Sequence, residues 1–300
     1  MIEIQTLSKR FGTLAALNGI SVEIPSGSIF GLVGSNGAGK STLLRTLAGV
    51  YWPDGGAVRF DGALSWENME VKSRICFISD TPWFPPLSTL KDLRLLYREC
   101  YPSWDENFHK QLCAMFPLKQ ETRLRDMSKG MQRQAALLTA LSARPDFLLL
   151  DEIFDGLDPV VRQLVKKLIA GEVAERGMTA VIASHNLREL EDFCDTLALL
   201  HKGGVLLEND LDSMRLGLHR VQAVFTDFPD MTELKQTIDL VSSERSGSLL
   251  SFVARGNGEE ILTALDAFSP QFKEIVPLSL EEVFISEMEA AGYDIDNILS

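Results

Sequence analysis

The chain is 300 residues long with a mass of 33.3 kDa, and its residues are 45% hydrophobic and 24% charged. This length and balance are typical of a soluble globular protein with one large domain and one small domain, or with two modest domains. The formal net charge of −13 argues against nucleic acid as the main partner, because affinity for a phosphate backbone comes from clustered Lys and Arg.

Cysteine spacing and the lengths of the apolar runs indicate a cytoplasmic protein. The four cysteines lie far apart, without the pairs of a zinc site or the density of a disulfide framework: Cys76, Cys100, Cys113 and Cys194. Apolar runs such as 147–150 are far shorter than the roughly 20 residues of a membrane-spanning helix. Residues 1–4 lack the basic start and apolar stretch of a signal peptide, so we expect a cytoplasmic chain with reduced thiols.

Short apolar runs bounded by Gly or Pro alternate with helix-like stretches from the N-terminus to about Asn209. This alternation is typical of α/β architecture with a mostly parallel sheet. The run 29–33 predicts a buried strand. The segment 82–86, PWFPP, then interrupts the regular pattern, and the periodicity beyond it predicts amphipathic helices at 90–101 and 108–116.

These helices predict a helical subdomain inserted at about 81–145. The apolar run 147–150 predicts a second buried strand directly after it. Farther along, the pair Gly203–Gly204 between two apolar runs predicts a hairpin turn that closes the domain. We therefore expect the first, larger domain to span 1–213.

The tail from 214 to 300 has a different rhythm, in which strand and helix candidates alternate. The strand candidates are 221–225 and 249–254, and the helix candidates are 232–237, 259–268 and 279–289. This pattern predicts a small α+β accessory domain. The sequence shows no internal repeat, low-complexity tract or heptad run, so a solenoid or a long coiled coil has no support.

A glycine-rich motif follows the predicted strand 29–33 and opens a predicted helix at 42–48 that Gly49 ends. Eight residues match G-x-x-x-x-G-K-[ST], and Thr42 follows them: Gly34, Ser35, Asn36, Gly37, Ala38, Gly39, Lys40 and Ser41. The glycines let backbone N–H groups curl around phosphates at the helix N-terminus, while Lys40 reaches the β and γ phosphates and Ser41 holds Mg²⁺. The motif predicts a nucleoside triphosphate site; the alternative is a glycine-rich turn without a ligand.

Two acidic residues, Asp151 and Glu152, follow the apolar run 147–150. Enzymes with a phosphate loop place a Mg²⁺ carboxylate at this position beside the phosphates. Asp151 is then the residue on the metal side and Glu152 the residue on the water side. The alternative is a plain strand-to-turn junction, since acids commonly follow strands.

Three further stretches resemble motifs of the ATP-binding cassette (ABC) ATPases. The segment 124–134 resembles their signature, with Ser128, Lys129, Gly130, Met131 and Gln132 where many members have Ser-Gly-Gly-Gln. Asp155-Gly156-Leu157-Asp158-Pro159 resembles the D-loop, and His185 resembles the switch histidine. With the phosphate loop and the acidic pair, these motifs occur in the family's order, and the resemblance covers about 2–209.

The resemblance implies a P-loop NTPase fold of the ABC ATPase type. Such a fold has a RecA-like core, an antiparallel β subdomain and an inserted helical subdomain, here followed by the small C-terminal α+β domain. It also implies ATP hydrolysis with Mg²⁺, in which Glu152 is the general base or positions water, His185 supports the γ phosphate and Lys40 stabilises charge.

Two positions fit the family less closely. Phe11 matches the aromatic residue on which adenine stacks, and the alternative is a core aromatic at a strand end. Asp80 stands where the family has the Q-loop glutamine. Asp80 is a candidate metal ligand beside Ser41 and Asp151, and the alternative is a cap of the turn before Pro82.

In this family two nucleotide domains face each other head to tail, so Ser128–Gln132 and Asp158 would complete the ATP site of a second subunit. The expected partners are that subunit and integral membrane permease subunits, on the cytoplasmic face of the membrane. Exposed aromatics at 83–86 are candidates for the permease contact, or form a local core. The segment 277–285 resembles the closing helix of ATPases that serve drug, antibiotic and polysaccharide exporters, and its simpler interpretation is an amphipathic helix packed on its own domain.

Two other function classes remain open at this point. A soluble ABC protein acting on ribosomes or DNA would share the ATPase, but the acidic charge and the absence of long coiled coils disfavour it. A small-molecule kinase or GTPase would share the phosphate loop, but it has no need of a signature or a D-loop.

Overall fold

The structure, a computed structural model, describes residues 1–210 and 218–276 together with Leu278 and Glu282, the side chains of 206–210 excepted. The chain divides into two compact units, Met1–Glu208 and Asn209–Ser300. None of the helices in these described ranges combines the length and apolar character that a bilayer crossing needs. The predicted helix at 279–289 lies, apart from Glu282, outside the described residues.

Strands and helices alternate along both units. The strands are β1 (Ile2–Phe11), β2 (Leu14–Ile24), β3 (Ile29–Val33), β4 (Gly55–Phe60), β5 (Ala63–Leu64), β6 (Ile75–Ile78), β7 (Phe147–Asp151), β8 (Thr179–Ser184), β9 (Thr196–His201), β10 (Gly204–Asp210), β11 (Leu218–Val224), β12 (Asp239–Ser246), β13 (Leu249–Arg255) and β14 (Phe272–Val276). The helices are α1 (Lys40–Leu47), α2 (Met69–Lys72), α3 (Leu90–Cys100), α4 (Glu106–Met115), α5 (Lys129–Ser142), α6 (Pro159–Arg176), α7 (Leu187–Leu190), α8 (Met231–Thr237) and α9 (Gly258–Leu265). Short 3₁₀ turns occur at Leu124–Asp126 and Asp266–Phe268.

A six-stranded sheet forms the centre of the first unit, in the order β10-β9-β3-β8-β7-β6. Strands β9, β3, β8, β7 and β6 pair in parallel. Every residue of β3, β7 and β8 is buried. Parallel strands that are covered on both faces are expected to be buried in this way, and their sequences are nearly continuous apolar runs. The α/β class predicted from the sequence is confirmed.

A second, antiparallel sheet in the same unit has the order β2-β1-β4-β5. It shares one apolar core with α1 and the parallel sheet, and Phe60 of β4 contacts Phe147 of β7 edge to face at a centroid distance of 4.8 Å. Burying a side chain of this size contributes about 1.5–3 kcal/mol. The shared core places the phosphate-loop helix α1 between the two sheets.

Helices α3 to α5 lie between β6 and β7, where the sequence predicts an inserted helical segment. Thr89 and Asp92 form a reciprocal capping box at the start of α3, and Asp105 caps α4 through the N–H groups of Asn107 and Phe108. Each such cap stabilises a helix by about 1 kcal/mol. The predicted helix 108–116 begins two residues late, because the cap at Asp105 rather than the apolar periodicity sets the start.

The turn between β9 and β10 has Lys202 and Gly203 at its centre, with φ values of 47° and 78°. Two consecutive left-handed residues are typical of a type I′ hairpin turn. The predicted turn Gly203–Gly204 is therefore displaced by one residue, and Gly204 begins β10. The Gly203 N–H donates to the carbonyl of Ala38 at 3.0 Å, and the Gly203 carbonyl accepts from the Asn18 N–H at 2.8 Å.

The second unit has the element order βαββαβ and an antiparallel sheet in the order β12-β13-β11-β14. This is the topology of a ferredoxin-like, split βαβ domain. Side chains from one face of β11 and β13 form its core with Leu234 of α8 and Leu265 of α9. The predicted strand and helix candidates between 221 and 268 are present, whereas β12 and β14 were not predicted.

Candidate active site

The motif residues follow the carboxyl ends of parallel strands. The phosphate loop follows β3, Asp80 follows β6, Asp151 and Glu152 stand at the end of β7, and His185 follows β8. Because parallel strands end at one edge of a sheet, these loops meet there, which is where open α/β sheets bind ligands.

Two glycines of the phosphate loop have no room for a side chain. A Cβ atom at Gly34 would lie 2.4 Å from the Leu200 carbonyl oxygen, and one at Gly39 would lie 2.6 Å from the Ala16 carbonyl oxygen. Gly39 also has a φ of 111°, which L side chains rarely adopt. Helix α1 begins at Lys40, two residues before the predicted start, with Gly39 at its N-cap position.

The Lys40 ammonium group is almost fully buried and faces the loop that precedes it. Its Nζ donates to the carbonyls of Gly34 at 2.6 Å and Ser35 at 3.3 Å, and lies 3.5 Å from Oε1 of Glu152. The phosphate loop is therefore folded around a cation whose counter-charge comes from Glu152.

Ser41 and Asp151 form the second element of the site. The Ser41 hydroxyl donates to Oδ1 of Asp151 at 3.1 Å. Asp151 is completely buried, and within the described residues its Oδ2 atom has no hydrogen-bond partner. Burial raises the pKa of the Asp151 carboxyl, against the hydrogen bond from Ser41. A buried carboxylate oxygen without a partner, next to a hydroxyl, fits a hard cation such as Mg²⁺, which prefers oxygen ligands.

Glu152 and His185 are held together at the ends of β7 and β8. Oε2 of Glu152 accepts a hydrogen bond from the His185 N–H at 3.2 Å and lies 2.9 Å from His185 Nδ1. Glu152 has a left-handed φ of 49°, and its own N–H donates to the Ala183 carbonyl at 3.0 Å. With Lys40 on its other oxygen, the Glu152 carboxylate bridges the phosphate loop and the histidine.

The signature residues surround the start of α5. The Ser128 hydroxyl accepts from the Met131 N–H at 3.2 Å, and the Gln132 amide donates to the carbonyls of Leu124 and Met127. Ser128 and Lys129 are exposed. Among the described residues, the side-chain hydrogen bonds of Ser128 and Gln132 are made within 124–131, and none of them reaches the phosphate loop.

Two other predicted nucleotide contacts have surroundings that the sequence did not indicate. Asp158 caps α6, and its Oδ1 accepts from the N–H groups of Val160 and Val161, each at 3.0 Å. Phe11 is 43% exposed and meets Tyr51 edge to face at 5.3 Å. The Lys9 ammonium lies over the Phe11 ring, 5.6 Å from its centroid, and a partly exposed aromatic ring at this position suits stacking with a base.

Asp80 is held by two arginines that the sequence analysis did not single out. Its Oδ1 lies 3.0 Å from Nη2 of Arg45 on α1, and its backbone carbonyl accepts from Nη2 of Arg133 on α5 at 2.9 Å. The Arg45 pair is partly exposed and solvent-screened, so it stabilises by no more than about 1 kcal/mol. Arg45 lies outside the motifs and Arg133 lies in the signature stretch 124–134, but no spacing rule predicts their contacts with Asp80.

Comparison with known proteins agrees with this geometry. The profile of the family described as ABC transporter matches residues 17–155. The ABC transporter ATP-binding protein YtrB of Bacillus subtilis (strain 168) is 31% identical over 287 residues, which cover 96% of this chain and 98% of that protein. The chain belongs to the ABC transporter family. It is an ATP-binding subunit of an ABC transporter, and an ATPase.

Further relatives are also ABC transporter proteins. The bacitracin transport ATP-binding protein BcrA of Enterococcus faecalis is 29% identical over 246 residues, covering 81% of this chain and 78% of that protein. A solved ATP-binding subunit of an ABC transporter superposes with a TM-score of 0.67 at 26% identity, over 72% of this chain and 92% of that one. A solved dimeric ATP-binding cassette with ADP and Pi shares the ABC fold at 22% identity, with a TM-score of 0.64, over 70% of this chain and 99% of that chain.

Proposed function

We propose that this ABC subunit hydrolyses ATP at the site formed by Lys40, Ser41, Asp151, Glu152 and His185, and thereby powers a separate membrane permease. The observation that carries the proposal is the buried Oδ2 atom of Asp151, which lacks a partner among the described residues and stands beside Ser41. A buried carboxylate oxygen is costly unless it binds something, so this arrangement supports a ligand.

The contacts of Lys40 suggest how nucleotide prepares Glu152 for catalysis. The Lys40 ammonium group lies 3.5 Å from Oε1 of Glu152, so the two side chains form an ion pair. Phosphates entering the loop compete for the ammonium group, so Glu152 keeps only its contacts with His185. The freed Glu152 oxygen then accepts a proton from the attacking water, and His185 holds the carboxylate in place.

Ser41 and Asp151 would hold Mg²⁺, with Asp80 as a further candidate ligand. An ion held by these residues would supply positive charge to the transferring phosphoryl group. This role for Asp80 competes with its pairing to Arg45.

We further propose that two such subunits pair head to tail. The exposed Ser128 and Lys129, with Gly130, Met131 and Gln132, would then meet the γ phosphate bound by the other subunit, where the N-terminus of α5 offers N–H groups and a positive dipole. Asp158 would join that interface and Phe11 would stack with adenine. ATP would hold the dimer closed and hydrolysis would open it.

The subunit is proposed to work on the cytoplasmic face of a membrane and to serve export. The resemblance of 277–285 to the closing helix of exporter ATPases supports export, and the relative named for bacitracin transport supports a role in transport. The exposed Trp83 in the segment 83–86 is a candidate permease contact. The proposed domains are 1–213 for nucleotide binding and 214–300 as an accessory domain. The formal net charge of −13 argues against nucleic acid as the main partner.

Purification from detergent-solubilised membranes tests the proposal. A polytopic membrane protein that has no ATPase motifs should co-purify with the tagged chain, and the complex should hydrolyse ATP. A Lys40→Ala chain should recover the same membrane protein without the ATPase activity. Recovery of ribosomes, or of no membrane protein from membranes that contain the chain, would contradict it.

A further inference from the structure

A single guanidinium group joins the signature helix to two loops of the nucleotide site. Arg133 lies on α5, one turn after Gly130, and is half-buried. Its Nη1 donates to the backbone carbonyl of Asp155 in the D-loop. Its Nη2 donates to the backbone carbonyl of Asp80 at 2.9 Å. These two carbonyls follow β6 and β7, so Arg133 fastens α5 to the edge of the sheet where the site lies.

The first turn of α5 also touches the D-loop without an intervening side chain. A Cβ atom at Gly130 would lie only 2.6 Å from the carbonyl oxygen of Gly156. The helix backbone and the loop backbone are therefore in direct contact, and Arg133 bonds to the carbonyl just before Gly156. The two contacts together define where the signature helix begins relative to Glu152.

Asp80 is also held by a second arginine, on a different helix. The Asp80 carboxylate pairs with Arg45 on α1, the helix that opens at the phosphate loop. Asp80 thus lies between α1 and α5, with its side chain on one arginine and its carbonyl on the other. Asp80 therefore connects α1 to α5 through its side chain and its backbone.

We propose that Arg133 is a positioning residue that sets α5, and with it the signature, in the orientation that a second subunit's ATP requires. The planar guanidinium can bond two carbonyls at once in a fixed geometry, which the single ammonium of lysine cannot reproduce. The inference rests on the proposed head-to-tail dimer. Loss of Arg133 weakens ATP-dependent pairing, while ATP binding to the separate subunit is kept, because the phosphate loop makes no contact with Arg133 among the described residues.

The experiment compares variants in a Glu152→Gln background, which retains ATP. The protein concentration for half-maximal dimerisation with MgATP is measured by analytical ultracentrifugation, and ATP binding to the monomer is measured by fluorescence of a labelled ATP analogue. Arg133→Gln should raise the dimerisation midpoint by about tenfold, the loss expected for one charge-assisted hydrogen bond. Binding of the analogue to the monomer should stay within about twofold of the reference. Arg133→Lys should recover part of the dimerisation.

Arg98→Gln is the control, since Arg98 is another arginine of the helical segment, exposed and paired with its neighbour Glu99. It should leave both measurements unchanged. An unchanged midpoint for Arg133→Gln overturns the inference, and so does an equal loss of analogue binding, which would make Arg133 a residue of the fold alone.

Failure of the Glu152→Gln reference to dimerise would count against the proposed dimer and not against Arg133. Hydrogen exchange of the monomer then decides the inference. Arg133→Gln should speed exchange at 79–82 and 153–157 while Arg98→Gln does not, because two loop carbonyls lose their common donor. Equal exchange in the two variants overturns the role of Arg133.

Discussion

Glu152 and His185 are bound to each other twice: Oε2 of Glu152 accepts from the His185 N–H at 3.2 Å and lies 2.9 Å from the imidazole Nδ1. The histidine therefore fixes the carboxylate through its backbone as well as its ring. Substitution of the ring alone leaves one of the two contacts in place. The position of Glu152 depends on where β8 ends, not only on the identity of residue 185.

Glu152→Gln should bind ATP but hydrolyse it at least about a hundredfold more slowly than the wild type, because the amide cannot accept the proton of the attacking water. Phosphate contacts of the loop remain, so an ATP-bound dimer should accumulate and elute early in size-exclusion chromatography with ATP. Glu175→Gln, at an exposed position of α6, is the control. Turnover at the wild-type rate in the Glu152 variant would remove this residue from the mechanism.

A mixture of Ser128→Arg and Lys40→Ala subunits should regain part of the ATPase activity that each has lost alone. Each heterodimer then contains one site with an intact Lys40 from one subunit and an intact Ser128 from the other. With random pairing in equal amounts, about a quarter of all sites are intact. Steady-state ATPase measurements on the mixture check this. No recovery when heterodimers have been shown to form would argue against the head-to-tail arrangement.

Asp80→Ala should raise the Mg²⁺ concentration needed for half-maximal ATPase activity. Asp80→Gln should largely preserve ATP hydrolysis, because it restores an amide oxygen. A magnesium titration at saturating ATP distinguishes the three proteins. If Asp80 only caps the turn and pairs with Arg45, both variants should be mild and the midpoints equal. Equal midpoints would therefore end the assignment of Asp80 to the metal site.

Stability of the first unit should decrease in mild acid because of His109 on α4. Burial lowers the pKa of its imidazole below the usual 6.5, and Arg94 acts in the same direction against Glu106. The unfolded chain then takes up this proton at higher pH than the folded protein does. The stabilisation is complete above 6.5 and is lost as the pH falls from 6.5 toward the lowered folded pKa.

Urea unfolding at about pH 7.5 and about pH 5.5 measures this effect. His109→Gln should be less stable than the wild type at the higher pH, since His109 contacts Ser142 at 2.9 Å, but should lose less stability in acid. The same substitution at His219, in the second unit, is the control. Equal pH dependence in wild type and His109→Gln would contradict the prediction.

Sequence patterns predicted those parts of the fold in which local chemistry alone specifies the element. The runs 29–33 and 147–150 are continuous and apolar, and they form the fully buried strands β3 and β7. Strand β12 was missed because DLVSSERS has little apolar alternation, and its pairing with β13 specifies it instead. The motifs located the loops of the site, and the assigned roles of their residues stay predictions.

The arginine contacts of Asp80 could not be predicted, because they join residues that are 35 and 53 positions apart in the sequence. No spacing rule connects a side chain on α5 with a carbonyl after β6. The capping role of Asp158 was also missed, although an acidic residue directly before Pro159 carries a recognisable helix-start signal.

The backbone hydrogen bond from Gly203 to Ala38 decides where the chain can be shortened. A fragment cut just after His185 would keep every motif yet lose β9, the direct neighbour of β3, and the turn that supports the phosphate loop. A fragment of residues 1–210 retains both. A recombinant fragment that keeps this support of the phosphate loop therefore extends past Gly203, well beyond the last residue of the nucleotide-site motifs.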